Sequence, residues 1–187
     1  MANKYNHISF DIETLDVIPE AVVLSIGAAK FNLEEDETYD DIKDDEERCF
    51  YAVIDIQAQL DVGRLISADT LQWWMKQSRD AQQVFFDSKY SAERGLTDLT
   101  EFCQGTSYAW GNGNMFDNVI IRSLYNSFEM DYPYHYVRDM DLRTLKIAAG
   151  SPKVKVVTES LTKHNALDDA VFQAILAQQF WKTIQGE

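Results

Sequence analysis

HISFDIETLD, residues 7–16, sets two carboxylates, Asp11 and Glu13, just past an apolar run, with a single isoleucine between them. The stretch reads as the start of a buried strand. Alternate side chains of an extended strand share a face, so Asp11 and Glu13 point together, about 6.6 Å apart along the backbone. Ile12 points the other way. Two like charges this close and part-buried repel, and they favour protonation unless a cation lies between them. The rest of the chain has to decide between those outcomes.

Outward from this strand, hydrophobic periodicity gives a mixed order of elements. A second strand spans 21–31 after a turn at Pro19–Glu20, and a third lies near 48–55. From Ser67 the pattern turns helical: SADTLQWWMKQS opens on Ser67 as N-cap, and further helices follow at about 79–87 and 91–103. SYAWG, 107–111, is a short strand that runs into the glycine-rich GNGN. A helix at 115–128, a strand near 136–140, a helix near 141–149 and a last helix at 166–183 complete the chain. Three leading strands followed by alternating helices and strands predict an α/β fold, a central mixed β-sheet flanked by α-helices. At 187 residues with no internal repeat or linker, residues 1–187 read as a single domain.

A hydrophobic content of 45% and 12% aromatics fit a globular chain and exclude disorder. Cys49 and Cys103 lie too far apart for a metal-ligand spacing or a disulfide framework, which predicts a reduced, cytoplasmic protein. MANKYNH lacks a basic-then-apolar signal, and AVVLSIGAA is too short to span a bilayer, so no membrane partner is expected. The net charge of −14 argues against nucleic acid, because phosphate binding normally needs Lys and Arg. Its distribution softens that argument. Residues 34–47, EEDETYDDIKDDEE, hold ten acids and one lysine, −9 of the total, which leaves −5 elsewhere. This run reads as a solvated loop; the central glycine of an EF-hand is missing.

Two later stretches bring acids back. In WGNGNMFDNVIIRSL, Asn114 can cap a helix with Asp117 in its first turn, and in HNALDDAVFQAIL, Asn165 can cap the last helix with Asp168 at its third position. The second case is a relaxed capping box. First-turn acids also complement the helix dipole, by about 0.3–1 kcal/mol each. Capping accounts for Asp168 better than for Asp169, which lies about 100° further round the helix. His164 falls just outside that helix, free to reach whatever Asp169 faces. Asp11, Glu13, Asp117 and Asp169 are thus four oxygen donors from one strand and two helix starts, a set suited to Mg²⁺ or Mn²⁺. Two such divalent cations about 3.5–4 Å apart can clamp the attacking and leaving oxygens of a phosphodiester. His164 would take the proton from the attacking water. The cations would also replace basic side chains as the attraction for a polyanion. Against this, D-x-E is a short motif, and a histidine near an aspartate is often only hydrogen-bonded.

FDIET with LSIGAAKF downstream, WGNGNMFDNVIIRSL and HNALDDA resemble, in that order, the three motifs of the DEDDh (DnaQ-like) 3′–5′ exonucleases. The resemblance covers nearly the whole chain. LQWWMKQS and WGNG look most similar to the branch of phage DexA-type enzymes, exonuclease VIII-related domains and RNase AS. The resemblance implies an RNase H-like exonuclease fold and two metal ions held by Asp11, Glu13, Asp117 and Asp169. It makes His164 the general base, where a tyrosine would mark the sister DEDDy class. The implied partner is the 3′ end of a single-stranded nucleic acid, RNA or DNA, cut to nucleoside 5′-monophosphates. It also implies a homodimer as a candidate assembly, and phage-encoded members of the branch as relatives.

Six residues are candidate substrate contacts. Thr14 and Leu15 stand where proofreading enzymes carry Thr-Gly, with Leu15 as a wedge beneath the terminal base. Trp73 and Trp74 point about 100° apart on a helix, so at most one is fully core and the other could stack on a base. Arg143 is a candidate phosphate contact, as is Arg138, set against ion pairing with Asp139 or Asp141. Trp110 reads as core. Two other functions stay open on the residues alone: a metal-dependent nucleic-acid-binding or docking subunit without turnover, and a two-metal phosphatase acting on mononucleotides.

Overall fold

The computed structural model describes residues 4–113, 115–154, 156 and 161–186. Along the chain come β1 (His7–Thr14), β2 (Val23–Phe31), α1 (Tyr39–Lys43), β3 (Cys49–Val53), α2 (Ile56–Asp61), α3 (Ala68–Trp74) and α4 (Arg79–Gln82). Then follow α5 (Ala92–Phe102), β4 (Tyr108–Gly111), α6 (Asp117–Ser127), β5 (Asp139–Asp141), α7 (Leu142–Ala148) and α8 (Ala166–Gln185). Among the described residues the strands make one sheet in the order β3-β2-β1-β4-β5. β2 runs antiparallel to β1 and β3, whereas β1, β4 and β5 are parallel. The expected mixed sheet with flanking helices is the observed architecture.

β1 sits centrally because both its faces are covered. Ile8, Phe10 and Ile12 pack with Leu96 and Leu99 of α5 and Ile120 and Leu124 of α6. On the opposite face Phe31 of β2 and Trp110 of β4 pack with Val171, Ala174 and Phe180 of α8. Phe10 and Phe31 are both fully buried, each worth about 1.5–3 kcal/mol relative to exposure. Trp110 is core, as its position predicts. The register places Gly27 opposite Asp11. A Cβ on Gly27 would lie 2.1 Å from the backbone of Ala166, so only glycine lets the start of α8 press onto the strand face that carries Asp11.

Several expectations are corrected. The acidic run is not a featureless loop: Thr38 and Asp41 form a capping box that starts α1, and Tyr39 and Ile42 are buried beneath it. Most acids of the run stay on the solvent side, with Glu37 turned in to pair with buried Arg48, so the periodicity is hidden by its charge. α2 has no counterpart in the sequence reading because six residues capped by Asp55 are too few to show a helical period. The helix expected at 115–128 begins at Asp117 with Phe116 in the cap position and no side-chain cap. The cap assigned to Asn114 lies outside the described residues. Ser67 and Asn165 do cap α3 and α8. Among the described residues no helix is long and apolar enough to cross a membrane.

Candidate active site

Asp11 and Glu13 reach the C-terminal end of β1 on one face, the carboxyl end of parallel strands where open α/β sheets gather ligands. A register shift between Glu13 and Thr14 ends the regular pairing there. Gln173 of α8 donates from Nε2 to Oδ1 of Asp11 at 2.6 Å. Asp117 arrives from the neighbouring β4: Gly111 is its last residue, and a Cβ there would lie 2.7 Å from Asn118 Oδ1 and 3.1 Å from Asp117 Oδ2. The missing side chain lets α6 start against the strand. The backbone N–H of Asn112 then donates to Asp117 Oδ2 at 3.1 Å.

Asp169 enters on α8, the helix that covers the strand face carrying Asp11. Its Oδ2 accepts the backbone N–H of His164 at 3.1 Å. Ligand atoms of Glu13, His164 and Asp169 all lie within 4.8 Å of one another, a grouping that could hold a metal ion. His164 sits at φ 62°, in the left-handed region. The Trp73 ring stands edge-on to the His164 ring, centroids 4.9 Å apart.

The electrostatics follow from that crowding. Burial pushes the Glu13 carboxyl up to about 8, and the charges of Asp169 and Asp117 add to it. Asp11 is raised well above the usual carboxylate range by burial and then by Asp117, Glu13 and Asp169, with the Gln173 hydrogen bond opposing. Asp117 is raised by burial against backbone donors and the Arg143 charge, and Asp169 by burial against its bond to His164. Four buried or part-buried carboxyls held above their ordinary values favour the protonated form unless a cation lies among them. Hard oxygen donors of this number fit Mg²⁺ or Mn²⁺.

Beside Glu13 opens a cleft of about 480 Å³, lined by Ile12, Glu13, Thr14, Asp16, Val17, Ser67, Asp69, Thr70, Trp73 and Phe116. Thr14 and Trp73 border it as expected, although the Thr14 hydroxyl is spent on the Asp16 carbonyl at 2.6 Å. Leu15 is corrected: it is 2% exposed, packed with Leu24, Val53 and Trp74, because the chain turns at the register shift and aims it into the core. Trp74 is corrected too. It is buried, and its Nε1–H is committed to the Thr14 carbonyl at 2.8 Å, so its ring steadies the cleft from behind. Trp73, 41% exposed, keeps a free face. Arg143 is exposed, with its guanidinium over Gly113, where a Cβ would lie 3.2 Å from Cζ; Gly113 itself has φ 102°. Arg138 lies over the Tyr108 ring, and Asp139 pairs instead with Arg122 at 2.7 Å.

Three functional neighbours escape the sequence reading. Gln173 carried a usable signal: it is four residues after Asp169 and so shares its helical face. Tyr39 and Lys43 carried none, because their partner is 129 and 125 residues away. That partner is Asp168, whose role as a reciprocal cap is corrected. Its Oδ2 accepts from Thr162 N at 2.9 Å, while the Asn165 N–H goes to the Thr162 carbonyl at 3.2 Å.

Residues 6–181 match the 3′–5′ exoribonuclease Rv2179c-like domain family. The chain belongs to that family. No curated protein matches it. Among solved structures the domain superposes on the metal-free E. coli ExoI–ssDNA complex with a TM-score of 0.59 at 15% identity, over 98% of this chain and 41% of that one. Cell-death related nuclease 4 (CRN-4) gives 0.57 at 11% identity, over 92% and 62%. The Mg²⁺- and Mn²⁺-bound form of S. pombe Pop2p gives 0.53 at 10%, over 96% and 84%. The chain spans about two fifths of the ExoI protein it matches. These likenesses are of fold: the exonuclease domain has the RNase H-like architecture of these nucleases.

Proposed function

We propose that this protein is a metal-dependent 3′–5′ exonuclease, residues 1–187 forming one domain that removes nucleoside 5′-monophosphates from the 3′ end of a single strand. The observation that carries the reading is the meeting of Asp11, Glu13, Asp117 and Asp169, from three separate elements, beside His164 and an open cleft. RNA is the substrate favoured by the family description. The kinship with the DexA, exonuclease VIII and RNase AS branch belongs to this proposal and rests on LQWWMKQS and WGNG.

Asp11, Glu13, Asp117 and Asp169 would hold the cations, two in number. When bound, these supply Lewis acidity at the scissile phosphate and charge to offset its negative oxygens. The chain's own residues do the rest. His164 accepts a proton from the attacking water at its imidazole nitrogen, with its backbone tied to Asp169. Gln173 holds the Asp11 carboxylate in one orientation. Trp73 offers its exposed face to the terminal base, a stacking contact worth about 1–3 kcal/mol. Arg143 meets a phosphate. A paired 3′ end would have to fray first, because the reacting phosphate has to reach the cations.

The test is digestion of matched RNA and DNA oligomers, labelled at the 5′ end, with Mn²⁺ and with EDTA, beside Asp11→Ala. The expected result is a ladder of shortened products that EDTA and the substitution both abolish. Retention of the oligomer without products would make it a binding subunit. Phosphate released from mononucleotides with the oligomer intact would make it a phosphatase.

A further inference from the structure

We propose that Tyr39 and Lys43 of α1 are positioning residues for His164, acting through the buried carboxylate of Asp168. The proposal rests on the nuclease reading for what His164 does, but the geometry stands by itself. Asp168 is 5% exposed, yet it stays in the core because each oxygen is satisfied. Oδ1 accepts the Tyr39 hydroxyl at 2.8 Å and the Lys43 ammonium. Oδ2 accepts the backbone N–H of Thr162. The next carboxylate along, Asp169, accepts the backbone N–H of His164.

Two adjacent side chains thus pin the loop before α8 at Thr162 and His164. One belongs to the site and the other reaches away from it to α1. This double hold bears on the His164 backbone. A residue with a Cβ keeps a left-handed conformation such as φ 62° only where its surroundings over-determine it. Tyr39 is 1% exposed and cannot swing aside, so the anchor is rigid. Charge-assisted bonds to Tyr39 and Lys43 fix the Asp168 rotamer, and that rotamer fixes Thr162 two residues before the base. Misplacing a reacting group by about 1 Å can cost on the order of a hundredfold in rate. The acidic segment therefore has a task at the site although none of its acids reaches it: it delivers a phenol and an ammonium to Asp168.

Tyr39→Phe and Lys43→Gln test this, each alone and combined with His164→Ala, with wild type alongside. Tyr39→Phe should lower kcat about tenfold, the worth of one hydrogen bond to a charged group, with KM unchanged. Lys43→Gln should act the same way and more weakly, since its side chain is 30% exposed. With His164→Ala in place, Tyr39→Phe should cause no further loss, because the group it acts through is gone. Losses that multiply, or an unchanged kcat, would overturn the proposal. A second readout needs no activity: the Trp73 ring, whose centroid is 4.9 Å away, should shift the His164 ring signals in NMR. Tyr39→Phe should move them, and signals identical to wild type would also overturn the proposal. A wild-type protein that cuts nothing would sink the nuclease reading alone, while the NMR comparison still decides the positional claim.

Discussion

Glu13 sits with its carboxyl held up to about 8 against an ordinary value of 4.5, chiefly by burial. Between those two pH values the folded protein keeps a proton that the unfolded chain releases. Stability therefore falls as pH rises through that window, and the loss is complete above about 8. Two outcomes follow for protein kept in EDTA. Its melting temperature should drop from pH 5 to pH 8, and Glu13→Gln should raise it at pH 8 while changing little at pH 5. Each kcal/mol recovered is worth about 2–4 °C in a chain of this size; equal melting curves for the two proteins at pH 8 would refute the electrostatic account. At His164 the outcome separates base from ligand. His164→Ala should lower turnover by about 10²–10⁴-fold while Mn²⁺ still raises the melting temperature. Loss of the Mn²⁺ response with the activity would instead make His164 a metal ligand. The proposed site residues Asp11, Glu13, Asp117, His164 and Asp169 could be singled out in the sequence because each stands beside a local signal, a strand period or a helix start. Leu15 and Trp74 were not, since whether a side chain near a strand end faces cleft or core depends on a register shift and on what packs behind it.

The decisive element is the first turn of α8. It is pressed onto β2 at Gly27, and Ala166 leaves no room for a methyl group there. Gly27→Ala must push the helix start outward. We expect a cost of at least about 1–3 kcal/mol and a loss of activity larger than the stability loss explains, because Asp169 and His164 move together. Circular dichroism melts beside oligomer digestion would check this. Near-wild-type activity would mean that the helix start does not set the site. The α8 and α3 caps were readable from Asn165 and Ser67, since a cap is a contact over two or three residues. The α1 helix was not, because its charged surface masks the two residues, Tyr39 and Ile42, that bury it.

Across the whole molecule the acids outnumber Lys and Arg 31 to 17, so under the proposed function cations would substitute for a basic binding surface. Chelation should abolish activity and return it on adding Mg²⁺ or Mn²⁺. Mn²⁺ at about 100 times its Kd should stabilise the fold by about 2.7 kcal/mol, with a larger effect at pH 8 than at pH 5. Salt should weaken substrate binding only gently. Arg143 and Lys163 are exposed beside the site and make no ion pair among the described residues. Two phosphate contacts predict a slope of log affinity against log salt near −1.4, at about −0.7 per contact for single strands. A much steeper slope would point to a phosphate-tracking surface elsewhere.

Most of the strands and longer helices, the caps of α3 and α8 and the five residues of the proposed site were readable from the chain alone, because periodicity, capping and motif spacing act over a few neighbouring residues. Which acid serves the site and which serves the scaffold was decided only by packing. Asp168 and Asp169 are adjacent in sequence and alike in chemistry. One faces Tyr39 and Lys43, and the other faces Glu13, because a helix turns each residue about 100° from the last and the sheet fixes where that helix lands.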